Sequence, residues 1–130
     1  MSTHVWDASA VLAFIRREPG FEKLEAALES PSDHLLSTVN LAEVASWFHE
    51  HGMPVDTLRE LVAELDLESV VFDVDSAHMT GALRSPTRHR GLSLGDRACL
   101  ALAKSRDAIA LTTDKQWLEL DIGVRIECIR

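Results

Sequence analysis

The stretch Gly91-Leu92-Ser93-Leu94-Gly95-Asp96-Arg97-Ala98-Cys99-Leu100 decides the fold class. Gly91 breaks the chain, and Ser93 is a good N-cap for a helix rich in Ala and Leu that runs to about Lys104. The segment Ala108 to Leu111 follows as a short apolar strand, Asp114 to Leu120 as a short helix and Val124 to Ile129 as a final strand. The same alternation appears upstream. His4-Val5-Trp6 reads as a strand and Ser9 to Arg17 as a helix that Pro19-Gly20 ends. Phe21, Leu24, Ala27 and Leu28 repeat at helical spacing, and His34 to Ser37 reads as a strand. Asn40 opens the next helix, Asp56 caps the one after it, and Ser69-Val70-Val71-Phe72 has the β-branched, apolar look of a buried strand. Asp75 or Ser76 then caps a helix running towards Arg88. Strands alternating with helices predict an α/β domain built on a mostly parallel sheet.

The 130 residues favour one domain, residues 1–130, with no repeat and no linker. Apolar residues make up 46% and charged residues 26%, a globular composition. The N-terminal MSTHVWDASAVLAF lacks a basic start, and Asp7 interrupts its apolar run, so it is not expected to act as a signal peptide. No uncharged stretch is long enough to cross a bilayer, and the expected location is the cytoplasm. Cys99 and Cys128 form no metal-ligand spacing and read as small core residues. The formal net charge of -8 argues against nucleic-acid binding through bulk electrostatics, although carboxylates at a metal site are offset by the cation itself. Basic residues gather at Arg84, Arg88, His89, Arg90 and Arg97. There is no P-loop or GxGxxG, so no nucleotide cofactor is expected.

Four carboxylates stand at comparable places. Asp7 follows the first strand, Glu43 lies in the first turn of the helix after the second, Asp114 follows the Ile109-Ala110-Leu111 strand, and Asp96 opens the helix after Gly91. The carboxyl ends of strands are where open α/β sheets bind ligands. Each acid taken alone has a simpler explanation as a helix-start residue. Asn40 with Glu43 fits a capping box, Ser93 with Asp96 is a close variant, and Asp114 and Asp7 suit helix N-termini. Against that account, Asp7 adjoins Val5-Trp6 at the core's edge, and Gly95 permits close approach beside Asp96. Small polar residues, Ser9, Asn40, Ser93, Thr112 and Thr113, accompany the acids and could orient carboxylates or water. Converging carboxylates suit a hard divalent cation such as Mg2+ or Mn2+, and such a site suits phosphodiester hydrolysis.

Five segments carry a resemblance that covers nearly the whole chain: Val5–Ala10, Asn40–Val44, Arg84–Arg88, Gly91–Leu100 and Leu111–Trp117. In order and spacing they resemble the PIN-domain family, and more narrowly the VapC-like ribonuclease toxins of bacterial toxin–antitoxin systems. The resemblance implies a three-layer α/β/α fold with a five-stranded parallel sheet and Mg2+- or Mn2+-dependent cleavage of RNA. It places Asp7, Glu43, Asp96 and Asp114 on the family's acidic positions, Asp7 and Asp96 being the favoured direct ligands. Arg84, Arg88 and Arg97 become candidate RNA contacts. It also implies a VapB-like antitoxin whose tail enters the acidic cleft, and a homodimer, for which the helices through Phe48 and Leu61 offer apolar side chains. One slot departs from the pattern: where many members carry a further acid after the last strand-end Asp, this chain has Gln116, which places a second metal in doubt. Two other readings compete, a non-catalytic PIN-like binding module and a receiver-type signalling domain using Asp73 after the Val70–Phe72 strand. His49 and His51 fit a helix end, and Trp6 and Trp117 fit packing better than base stacking.

Overall fold

A computed structural model describes residues 2–130. Five strands form one all-parallel sheet in the order β3-β2-β1-β4-β5: β1 Thr3–Trp6, β2 Asp33–Ser37, β3 Glu68–Val70, β4 Ile109–Thr112 and β5 Arg125–Cys128. Helices α1 Ala8–Ile15 and α2 Phe21–Glu29 link β1 to β2, and α3 Thr38–Glu50 and α4 Val55–Glu64 link β2 to β3. The chain then returns across the sheet through α5 Val74–Ala82, α6 Arg84–Thr87, a 3-10 turn at Arg88–Arg90 and α7 Leu94–Ser105. β4 therefore pairs on the opposite side of β1 from β2, which makes the β1–β4 boundary the point where strand order reverses. At such a point the connecting helices leave to opposite faces and open a crevice beyond the strand ends.

Side chains alternate across the sheet with the period of two that strands impose. Trp6, Leu36 and Leu111 pack on one side with Val11, Leu24, Val44 and Phe48. Val5, Leu35 and Ala110 pack on the other against Cys99, Leu100, Ala103 and Trp117. Gly20 fixes how the end of the chain meets the first face. Its φ is +95°, and a Cβ there would land on the carbonyl of Ile129, so only glycine lets α2 start against that backbone.

Several local expectations need correction. α3 begins at Thr38 under a Ser37 cap, whose hydroxyl accepts the Val39 N–H, and not at Asn40; Glu43 is consequently in the second turn. Pro54, not Asp56, precedes α4. The strand expected at Ser69–Phe72 is the three-residue β3 at the sheet's edge, with Val71 largely exposed, because an edge strand has one neighbour and little cover. Asp73, and neither Asp75 nor Ser76, caps α5, accepting the Ser76 N–H, and that helix stops at Ala82. Phe48 belongs to the core and is unavailable to a partner, while Leu61 is half-buried. Trp6 and Trp117, by contrast, are fully buried, as expected of packing residues. Cys99 is core, but Cys128, on the outer strand β5, is only half-buried.

A buried histidine pair ties β1 to β2. His4 and His34 face each other in register and stack with centroids 5.1 Å apart. His34 Nδ1 accepts the Trp6 indole N–H at 3.0 Å, so its proton sits on Nε2, which donates to the Ala27 carbonyl. Burial lowers the pKa of both rings, and for His4 the neighbouring His34 adds to the effect. With folded values below the unfolded ones, the neutral pair stabilises the fold above the ordinary histidine pKa, and that contribution is lost as pH falls through the folded values. Urea midpoints measured from pH 7.5 down to 5 are expected to fall less steeply in His4→Phe, which keeps the stack and removes one titration; an unchanged slope would show that the pair does not titrate on unfolding.

Candidate functional site

Asp7 is the innermost acid. It follows β1 at the centre of the sheet, its N–H continues the ladder to the Leu111 carbonyl at 2.9 Å, and it is 5% exposed. It stands at the N-cap of α1 yet makes no capping bond with its side chain. Its Oδ2 instead accepts two hydroxyls, Ser9 Oγ at 2.6 Å from α1 and Thr112 Oγ1 at 3.2 Å from β4. Ser9 Oγ also accepts the Thr113 N–H at 3.1 Å, and Thr112 Oγ1 the Asp114 N–H at 3.1 Å. The two hydroxyls thus fasten the end of β4 to the start of α1 around one carboxyl group. Burial raises the Asp7 pKa to about 6, opposed by the Ser9 hydroxyl and reinforced by the nearby Asp96 and Glu43 charges.

The other acids arrive by different routes. Glu43 projects from α3, where Asn40 Nδ2 donates to its Oε1 at 2.9 Å. Asn40 does not cap; it is fully buried and also donates to the Gly95 carbonyl of α7 at 3.0 Å. Gly95 provides the close approach that its neighbourhood predicted, since a Cβ there would overlap the Glu43 carboxyl group. Asp96 does cap: it accepts the Ser93 N–H at 3.0 Å while Ser93 Oγ accepts the Asp96 N–H, a complete capping box. Asp114 also caps, accepting the Gln116 N–H at 2.9 Å, and is exposed. Helix capping therefore accounts for Asp96 and Asp114 and leaves Asp7 and Glu43 unexplained.

Asp7, Glu43 and Asp96 are electrostatic neighbours. All three act on the buried Cys99 thiol, whose pKa is raised first by burial and then by these charges. Asp114 joins them through Thr112 and not through its charge. Of the five small polar residues, Ser9, Asn40, Ser93 and Thr112 each touch an acid with a side chain, and Thr113 reaches Ser9 through its backbone N–H. Among the described residues, no Lys or Arg forms an ion pair with any of the four acids.

This arrangement fits a hard cation. It offers oxygen donors only and, among the described residues, a buried carboxyl group whose charge lacks a basic partner. Among the described residues, no three His, Cys, Asp or Glu side chains converge as ligands around a single point. Each acid is instead held by its own donor, which agrees with an ion such as Mg2+ that takes one or two carboxylates and keeps several waters. A cavity of about 600 Å³ beside Leu83, Pro86, Ala101 and Ile122 is lined by none of the four acids.

The basic cluster is divided. Arg84 and Arg88 are exposed, on α6 and the turn after it. Arg90 pairs with Glu119 at 2.6 Å, and Arg97 turns inward to donate to the Thr80 carbonyl at 3.2 Å. Asp73 is an exposed helix cap on the edge of the sheet, outside the acidic group, so the receiver-type alternative loses its phosphoacceptor. The bridge from Asn40 to Gly95 was missed as a contact because it spans 55 positions; the only signal was Ser37, a competing cap at the end of β2 that frees Asn40 for another use.

The Asp7 shift has a stability consequence with a sign opposite to that of the histidine pair. A carboxyl group with folded pKa about 6, above its ordinary value of 3.8, binds a proton more tightly when folded, so its contribution falls as pH rises through that interval. In EDTA at pH 8, Asp7→Asn is expected to be more stable than the parent by about 1–3 kcal/mol, with the gap closing near pH 4 in urea unfolding; a destabilised variant at pH 8 would contradict the assignment of a buried, uncompensated charge.

Comparison with known proteins agrees with this geometry. The PIN domain model matches residues 5–123. A VapC ribonuclease of Mycobacterium bovis is 33% identical over 125 residues, covering 92% of this chain and 95% of that protein. Among solved structures, DNA-bound VapBC from Salmonella typhimurium aligns with a TM-score of 0.77 at 21% identity, with both chains fully covered. VapBC-5 of Mycobacterium tuberculosis, from a family of toxin–antitoxin systems, aligns with a TM-score of 0.64 at 26% identity, covering 100% of this chain and 99% of that one. With its all-parallel sheet, its acids at the strand-order reversal and a match across most of its length, this chain belongs to the PIN-domain family, among the VapC proteins.

Proposed function

We propose that the chain is a metal-dependent endoribonuclease, a toxin of the VapC type that hydrolyses RNA phosphodiester bonds and is inhibited by a cognate VapB-like antitoxin. The observation that carries the reading is the buried Asp7 carboxyl group, raised to about 6 and set beside Asp96 and Glu43 at the sheet's switch point in a chain of this family. Asp7 and Asp96 would hold Mg2+ or Mn2+ most directly, with Glu43 and Asp114 completing the shell or positioning the attacking water. When bound, the cation would supply charge neutralisation and a lowered pKa for water.

The chain's own groups prepare that chemistry. Ser9 and Thr112 donate to one oxygen of Asp7 and leave the other free of protein donors. Asn40 holds one oxygen of Glu43, and the Ser93 N–H holds one oxygen of Asp96. A proton must leave Asp7 before a cation is held there, so cation demand rises as pH falls below about 6. Arg84 and Arg88 are exposed and suit phosphate attraction, whereas Arg97, already bonded to Thr80, supports the packing of α7 on α5. Gln116, exposed just after Asp114, supplies no carboxylate for a second ion.

The partner reading rests on charge and kinship. The relatives solved as VapBC are toxin–antitoxin proteins, and an acidic cleft suits a basic residue on an antitoxin tail. Among the described residues no helix is long and apolar enough to cross a membrane, and action on RNA in the cytoplasm follows from the function proposed. A homodimer is part of the same reading, formed through surface other than Phe48, which is buried.

Purified protein free of antitoxin is expected to cleave RNA with Mg2+ or Mn2+, to stop on chelation and to recover when the ion is returned. Asp7→Asn and Asp96→Asn should each lower the rate by roughly 100-fold or more with an unchanged circular dichroism spectrum. Full activity in both variants would remove the acids from the site, and binding of RNA without cleavage would favour the non-catalytic module.

A further inference from the structure

We propose that Asn40 and Gly95 form a clasp between α3 and α7 whose purpose is to seat the Glu43 carboxylate, which makes both of them positioning residues for the acidic site. The inference rests on the reading of Glu43 as part of that site.

The chemistry of the partners fixes how the Asn40 amide is turned. Glu43 Oε1 and the Gly95 carbonyl are both acceptors, so the group between them must be the NH2, with one hydrogen to each at 2.9 and 3.0 Å. That orientation leaves Oδ1 buried without a partner. A side chain free to choose would not bury an unpaired carbonyl, because doing so is costly. The cost is accepted where two acceptors from different helices must be held at once. Asn40 lies in α3 three residues before Glu43, on the same helical face, so a single amide can reach both its own helix's acid and the neighbouring helix's backbone.

Gly95 supplies the space. It is buried in the first turn of α7, where alanine would make a better helix, and it has no left-handed backbone to demand glycine. What it has is the Glu43 carboxyl group lying where its Cβ would be. Glu43 is thereby laid against the first turn of α7, beside Asp96 in the next position, and near Asp7, whose proton affinity it raises. An added methyl group would meet the far end of a side chain that borders solvent, so Glu43 would swing out and the fold would survive.

The test is a double-mutant cycle read in two ways. Gly95→Ala alone is expected to cut the RNA cleavage rate about 10- to 100-fold, with a melting temperature equal to or above the parent's. In the Glu43→Ala background the same Gly95→Ala change is expected to cost less than about 2-fold, because the group it displaces is gone. Asn40→Asp, which keeps the shape and replaces the donor by an acceptor, is expected to lower activity more than Asn40→Ala. By NMR hydrogen exchange, Gly95→Ala and Glu43→Ala should each expose the same one of the two Asn40 side-chain hydrogens. Equal losses from Gly95→Ala in both backgrounds, or an Asn40 amide indifferent to Gly95→Ala, would overturn the clasp. If the exchange pattern appears as described while the parent cleaves no RNA, the nuclease reading fails and the clasp stands as a structural device.

Discussion

Burying the Asp7 carboxyl group at the end of the central strand costs free energy, and the surrounding structure is organised to contain that cost. Desolvation alone pushes the group towards its protonated form. Among the described residues no basic side chain pairs with it; two hydroxyls from different elements do the holding, Ser9 from α1 and Thr112 from β4. These hydroxyls also take up backbone N–H groups at Thr113 and Asp114, which would otherwise stand unpaired where β4 leaves the sheet. The charge is thus built into the junction of β1 and β4, the place where the strand order reverses. A residue placed there for stability alone would be apolar or would cap α1 with its side chain, and Asp7, at the N-cap position, does neither.

Around this centre the chain uses one group for two purposes where it can. Asp96 completes a capping box at the head of α7 and adds its charge to the acidic cluster; Asp114 caps the 3-10 turn after β4. Each of these side chains is oriented by a backbone N–H, which is a rigid support. Glu43 has no such local anchor, being in the second turn of α3, and depends on Asn40 and on the notch at Gly95. The four acids therefore differ in how firmly they are held, from a fastened Asp7 to a Glu43 that one methyl group could dislodge. Rigid helices and strands set the framework, and the last ångströms are set by individual amides and hydroxyls.

What could be read from the sequence was what is local. The capping box at Ser93–Asp96 lies within four residues and was legible, as was the alternation that makes a parallel sheet. Local reasoning failed where two local solutions compete. Ser37 and Asn40 are both good caps, and only the length of β2 decides between them. It also failed where a property belongs to the assembled sheet: Val70-Val71-Phe72 has a buried strand's composition, yet its place at the edge is set by the crossover of the chain. The bonds that make the site, Thr112 to Asp7 across 105 positions and Asn40 to Gly95 across 55, have no signature in spacing. The acids themselves were nameable because the family pattern fixes their order, while their environments were not.

The role proposed for these acids is to hold a divalent cation. Crystals of the antitoxin-free protein soaked in Mn2+ and measured at the manganese absorption edge test this directly. An anomalous peak is expected within bonding distance of the Asp7 oxygen that Ser9 and Thr112 leave free, with Asp96 or Glu43 contributing directly or through water. An absence of any peak there under saturating Mn2+, in crystals whose Asp7 is ionised, would contradict it.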